Sequence, residues 1–199
     1  MTDLKAVLEV ATALGRVRAQ WWIAGGWAID LHLDRITREH QDIDVLVLRR
    51  DQAALRPALE KFTLKKITPH PDRAPKQGTI SEWAPDERLE LPIHQINAYR
   101  PNETEPAFEL MLADSERHDW VYRRDPRVRR RIAAIGFEPL WGIPYLAPEI
   151  VLLFKAKSTH PKDEMDFRNA LPLLSIEARG WLREALTTAH EKHPWIARL

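Results

Sequence analysis

Asp42 and Asp44 flank Ile43 at the head of a run, Asp42-Ile43-Asp44-Val45-Leu46-Val47-Leu48, that is rich in β-branched residues and reads as a strand. Side chains alternate along a strand, so the two carboxylates share one face while Ile43 and Val45 take the other. Two acids side by side repel at neutral pH unless a cation neutralises them. Hard oxygen donors in a chain with no cysteine suit Mg²⁺. Such a pair is how two-metal phosphoryl-transfer sites are built, one ion activating the attacking oxygen and the other holding the triphosphate and the leaving pyrophosphate. Upstream, Gly25-Gly26 closes the apolar run Trp21-Trp22-Ile23-Ala24 and opens a helical pattern from Trp27 to Leu33. Glycines there let backbone N–H groups approach phosphate oxygens, and the helix N-terminus adds a favourable dipole. Each device alone has a bland reading, a pair of caps or a plain turn. In sequence, strand, glycine turn, helix and acidic strand place both at adjacent strand ends.

The elements that must position these residues are legible in outline. Leu4, Val7, Leu8, Ala11 and Leu14 recur at helical spacing, with Thr2 as the expected N-cap and Gly15 as the stop. Asp51 is expected to cap a helix running to about Phe62, kinked or delayed by Pro57. Thr63 to Thr68 reads as a short strand and Pro69 to Gly78 as an exposed loop. Thr79 to Ala84, Arg88 to Ile96 and Ala107 to Leu112 read as antiparallel strands of a meander. From Pro148, placed well for a first helical position, the signal turns helical. The expected organisation is one domain over residues 1–140 and a helical subdomain over 141–199.

Composition bounds the function. The 199 residues are 44% hydrophobic, enough for a core, and Lys+Arg 30 against Asp+Glu 29 removes the global positive field of a nucleic-acid binder. Without cysteine, thiolate metal sites and Cys nucleophiles are excluded. No apolar run approaches the ~18 residues of a membrane span, so no membrane partner and a cytoplasmic location are expected.

Gly25-Gly26-Trp27-Ala28-Ile29-Asp30, then Arg35, Thr37-Arg38, His40 and Asp42-Ile43-Asp44, resemble the signature of aminoglycoside 2''-adenylyltransferases of the DNA polymerase β nucleotidyltransferase superfamily. Ile93-His94-Gln95-Ile96-Asn97 and Pro148 to Lys155 with Asp163 and Asp166-Phe167 look like lincosamide nucleotidyltransferases. The resemblance implies an α+β fold, a nucleotidyltransferase-type mixed β-sheet flanked by helices with a helical C-terminal part. It also implies two Mg²⁺ ions, ATP or another nucleoside triphosphate, and transfer of a nucleotide, AMP as the first choice, to a hydroxyl of a small molecule such as an aminoglycoside- or lincosamide-like antibiotic. Asp42 and Asp44 are the expected metal ligands and Gly25 and Gly26 the expected triphosphate cradle.

The third carboxylate of the pattern is the open question. One alignment places Pro92 there, which cannot ligate; the other places Glu90, expected to reach the site as ligand or base, with Glu109 on the next strand as its rival. Arg38 and His40 are candidates for phosphate contact, Arg38 equally for a salt bridge with Asp34 or Glu39. His94 reads as a hydrogen-bonded strand histidine before a ligand, Asp30 as structural, and Lys155, Lys157 and Lys162 as a solvated helix face before a nucleotide contact. Arg123 to Arg131, six arginines in nine positions, is expected on the surface. From Glu82 to Asp119, ten acids against three arginines would suit a cationic substrate, or form a solvated face. Two rival functions remain: modification of a protein or RNA end, as in toxin neutralisation, and a non-catalytic nucleotide-binding module.

Overall fold

The computed structural model describes residues 2–70, 78–138 and 142–199. Most of the expected 69–78 loop and the expected boundary at 140 therefore lie outside the described residues. The chain forms two units that interleave in sequence: Met1–Trp22 with His40–Ser115, and Ile23–Glu39 with Glu116–Leu199. The stretch from Ile23 to Glu39 thus groups with the C-terminal part.

In the first unit, helix α1 (Leu4–Leu14) is capped by Asp3, one residue later than expected, whose Oδ1 accepts from the Ala6 N–H at 2.8 Å. Trp21 and Trp22 open strand β1 (Trp21–Ile23). Strand β2 (Asp44–Leu48) runs into a 3₁₀ turn (Arg49–Ala54) and the single-turn helix α3 (Leu55–Ala58), much less helix than the sequence suggested, with Pro57 inside that last turn. Strands β3 (Thr63–Thr68), β4 (Thr79–Glu82), β5 (Gln95–Tyr99) and β6 (Phe108–Glu116) complete the sheet. Its order is β4-β3-β5-β6-β2, antiparallel except for the parallel β6–β2 ladder. Alternation sorts the faces: Ile43, Val45, Val47, Ile96, Ala98, Leu110 and Leu112 are buried on one side, opposite Asp44.

In the second unit, helix α2 (Gly25–Leu33) follows directly on Ile23, which pairs in parallel with Tyr145 of β10 (Tyr145–Leu146). Strand β9 (Gly136–Phe137) pairs antiparallel with β10, and β7 (Asp119–Val121) with β8 (Arg129–Arg131) forms a hairpin. The β7–β8 hairpin departs from the expectation, because all three β8 positions are arginine and carry no hydrophobic alternation. Helices α4 (Pro148–Lys155), α5 (Pro161–Ala170) and α6 (Ile176–Ala189) pack around Leu153, Phe167, Leu182 and Leu186, with Phe167 stacked on Trp195 at 4.3 Å. Pro148 sits in the first turn of α4, where its missing N–H costs nothing. The mixed strand directions and the six α-helices among the described residues make the fold α+β. Among the described residues no helix is long and apolar enough to cross a membrane.

Candidate active site

Within the first unit, Asp44 stands directly opposite Glu109 in the parallel ladder, and Glu109 directly opposite Asn97 in the antiparallel one. Directly paired positions share a face, so the two carboxylates project side by side on the side of the sheet away from the buried aliphatic face. The Glu109 N–H bonds to the Ile43 carbonyl at 2.9 Å, extending the ladder towards Asp42. Asp42 is half-buried and has no hydrogen bond or ion pair among the described residues. Gln95 orients the group: its Nε2 donates to Glu109 Oε2 and to Asn97 Oδ1, each at 2.8 Å.

Glu90 takes a different place from the one expected. Residues 88–94 are not strand; β5 begins only at Gln95, since Pro92 has no N–H for a ladder. The segment is held as a loop by buried side chains. Gln52 receives the Leu89 N–H at 2.6 Å, and Arg49 donates to the Ile93 carbonyl at 2.6 Å and pairs with Asp114 at 2.6 Å. Glu90 lies on that loop, its side chain 64% exposed and paired with Arg88 at 2.7 Å. Arg49 also contacts His94 Nδ1 at 3.0 Å, so His94 is hydrogen-bonded as expected but sits just ahead of the strand rather than in it. His94 falls opposite Leu112, on the face away from Glu109.

Within the second unit, Gly25 has φ 60°, the left-handed region that a Cβ disfavours, and Ala24 caps α2 without any side-chain hydrogen bond. A glycine is needed there for the chain to turn from strand to helix while leaving the first turn uncovered by side chains. Asp30 is buried and receives the Thr37 hydroxyl at 2.6 Å, tying the 34–39 segment back to its helix, the structural role expected of it. Arg38 pairs with neither Asp34 nor Glu39 by side chain; it forks onto Asp166, Nε and Nη2 each at 2.9 Å, and donates to the Glu39 carbonyl. Lys155 reaches the same carboxylate at 2.9 Å and Asp163 at 2.8 Å. Burial alone would raise the Asp166 carboxyl, but the bonds from Arg38 and Lys155 overturn that and hold it below the usual range. Lys155 is therefore committed to a buried cluster. His40, of the first unit, is also buried, and its carbonyl accepts both the N–H (2.8 Å) and the hydroxyl (3.0 Å) of Thr2.

The arginine run is surface-paired, as expected: Arg127 with Asp125, Arg129 with Glu116, Arg131 with Asp119, while Arg130 pairs at 2.6 Å with the buried Glu149.

The donors on the Asp44 face are carboxylate and amide oxygens. Among the described residues no group of three or more His, Asp or Glu forms a ready metal cage. That chemistry fits Mg²⁺, which typically takes one or two carboxylates and completes its shell with water and substrate phosphate. Sequence reading named Asp42, Asp44 and Glu109 but missed Gln95, Asn97 and Lys65 as members of the same face.

The fold is that of nucleotidyltransferases. The antibiotic-resistance factor ANT(2'')-Ia superimposes with a TM-score of 0.58 at 18% identity, over 94% of this chain and 92% of that one. The lincosamide antibiotic adenylyltransferase LnuA, solved with lincomycin bound, gives 0.57 at 16% identity over 87% and 99%. Residues 6–82 match the family model of aminoglycoside-2''-adenylyltransferase. Two curated relatives, 2''-aminoglycoside nucleotidyltransferases of Klebsiella pneumoniae and Escherichia coli, are each 41% identical over 44 residues, 22% of this chain. The matched stretch spans a quarter of those relatives' length.

Proposed function

We propose that this chain is a nucleotidyltransferase that moves AMP from ATP to a hydroxyl of a small molecule. The observation that carries the reading is the pairing of Asp44 with Glu109 across a parallel ladder, with Asp42 leading into the same strand. Bound Mg²⁺, as two ions, would supply charge neutralisation for the triphosphate and the leaving pyrophosphate. Asp42 and Asp44 would hold the metal, and Glu109 would take the part expected of Glu90, adding to the metal site or receiving the proton of the acceptor hydroxyl. As that oxygen bonds to the α-phosphorus, the bond to pyrophosphate breaks. Gly25 and Gly26 offer backbone N–H groups to the triphosphate. Arg38 and His40 serve as supports: Arg38 braces the segment leading to the acidic strand through Asp166, and the His40 carbonyl anchors Thr2. The relatives support a small-molecule acceptor, since ANT(2'')-Ia was solved with adenylyl-2''-tobramycin and LnuA with lincomycin.

Incubation with labelled nucleoside triphosphates, Mg²⁺ and separate small-molecule, protein and RNA acceptors tests the reading. Label on a small molecule, with pyrophosphate released, is expected. Label on protein or RNA alone moves the chain to the toxin-neutralising class, and triphosphate binding without transfer makes it a binding module.

A further inference from the structure

The Asp44 face continues well beyond the acids. Through four successive registers one row crosses the sheet of the first unit: Asp44 opposite Glu109, Glu109 opposite Asn97, Asn97 opposite Lys65, Lys65 opposite Glu82. Adjacent strands lie about 4.8 Å apart, so Lys65 stands on the order of 10 Å from Glu109 and 14 Å from Asp44. Between them the face is neutral and ordered. Gln95 bridges Glu109 and Asn97, and Asn97 Nδ2 donates to the Tyr99 hydroxyl at 3.4 Å. The Lys65 ammonium lies over the Tyr99 ring, 4.6 Å from its centroid, and makes no ion pair among the described residues, not even with Glu82 across the ladder. An aromatic face holds a cation in place without cancelling its charge.

Six of the ten acids that composition offered as bait for a cationic substrate are meanwhile committed elsewhere. Glu87 is paired with Lys66, Asp114 with Arg49, Glu103 with Arg100, Glu90 with Arg88, Glu116 with Arg129 and Asp119 with Arg131.

We infer that Lys65 is a specificity determinant. The acceptor is a hydroxylated small molecule carrying a carboxylate, phosphate or strong hydrogen-bond acceptor roughly 10 Å from its reacting hydroxyl, and polyamines are disfavoured. Asp44 and Glu109 mark the reacting end of the row, the half-buried Gln95 amide stands in the middle over the buried Asn97, and the ammonium over Tyr99 marks the far end.

The inference rests on the transferase reading but is tested separately from it. Three probes are compared with the full chain, ATP and Mg²⁺: lactobionate, a galactosyl gluconate with one carboxylate; neutral lactose; and polycationic tobramycin. Adenylyl transfer is read as kcat/KM and acceptor binding by calorimetry, with ATP binding measured on its own. Lactobionate is expected to exceed lactose by about tenfold, the scale of one charge-assisted contact, with tobramycin last. Lys65→Met should erase the lactobionate advantage and Lys65→Arg should restore most of it, at unchanged melting temperature. Failure of ATP to bind sinks the transferase reading, while the acceptor titrations still judge the role of Lys65. Preference for tobramycin by turnover or binding, an advantage that survives Lys65→Met, or the absence of any binding difference overturns the inference.

Discussion

The polar sheet face of the first unit and the polar interior of the second hold similar side chains and use them in opposite ways. In the second unit Arg38, Lys155, Asp163 and Asp166 close on one another, with Asp166 fully buried and two cations on its two oxygens. Little is left there for a ligand, because every charge has a protein partner at hydrogen-bond distance. On the sheet face Asp42 and Lys65 have no ion-pair partner among the described residues, and Glu109 stands against Asp44, a like charge. Like charges directly opposed destabilise a sheet. Residue types that favour charge thus mark structure in one region and chemistry in the other, and the sign of the neighbour distinguishes them.

The comparison breaks most readily at the carboxylates. Asp44→Asn or Asp42→Asn should lower adenylyl transfer by at least ~10²–10⁴-fold while leaving the thermal midpoint unchanged or raised, since each relieves repulsion as it removes a ligand. Glu109→Gln should fall in the same range, whereas Glu90→Gln should stay within about twofold of the parent, as befits an exposed pair. Equal losses for Glu90 and Glu109 would return the third acid to the loop.

Asp166→Asn should do the reverse. It strands two cations in the interior and should cost about 3–5 kcal/mol in denaturant unfolding, the scale of a broken buried pair. A loss confined to turnover at full stability would mean that Arg38 serves the substrate rather than the fold.

A smaller effect is expected at the helix entry. Gly25→Ala forces a Cβ into the left-handed region and should cost about 1 kcal/mol of stability. Gly26→Val should chiefly weaken ATP binding, read by calorimetric titration; unchanged affinity would remove the glycines from the triphosphate site.

Acid sharpens the contrast last. Bonds from Trp195, Arg198 and Arg168 overcome burial to bring Glu164 down to about 2 from an ordinary 4.5, and Asp166 is lowered as well. Burial is the main cause that lowers His190 and His193 from 6.5. All four are depressed in the folded state, so their stabilisation is full above the unfolded values and drains as pH falls. Loss should begin below about 6.5 as the unfolded histidines charge, and steepen between about 4.5 and 2 as the carboxylates protonate. Probes in the second unit, such as Trp195 fluorescence, should report it.

How much of this was readable from the chain follows from distance along it. The Gly25-Gly26 helix start, the Asp42-Ile43-Asp44 strand and Pro148 at a helix head are local, set by backbone freedom, alternation and a missing N–H, and the sequence carries them directly. Partners far apart were not readable. Arg38 and Asp166 are separated by 128 residues, and no local pattern distinguishes that pairing from Asp34 or Glu39. Glu90 reaches the acidic face only if strand alternation runs through Pro92, and the ladder begins later, at Gln95. Lys65 and Asn97 joined the face only through registers across three further strands.

The β2–β6 ladder has a consequence for how activity arises during synthesis. Parallel strands cannot be joined by a tight turn, and Asp44 meets Glu109 at a sequence separation of 65. Contacts of that sequence separation form late, since the loop must close before the pairing contributes stability. The acidic pair therefore does not exist in a nascent chain until β6 has left the ribosome and docked, and a partly folded molecule lacks its chemistry altogether. Recovery of transfer during refolding should lag the far-ultraviolet helix signal, and the delay times the closing of that one ladder.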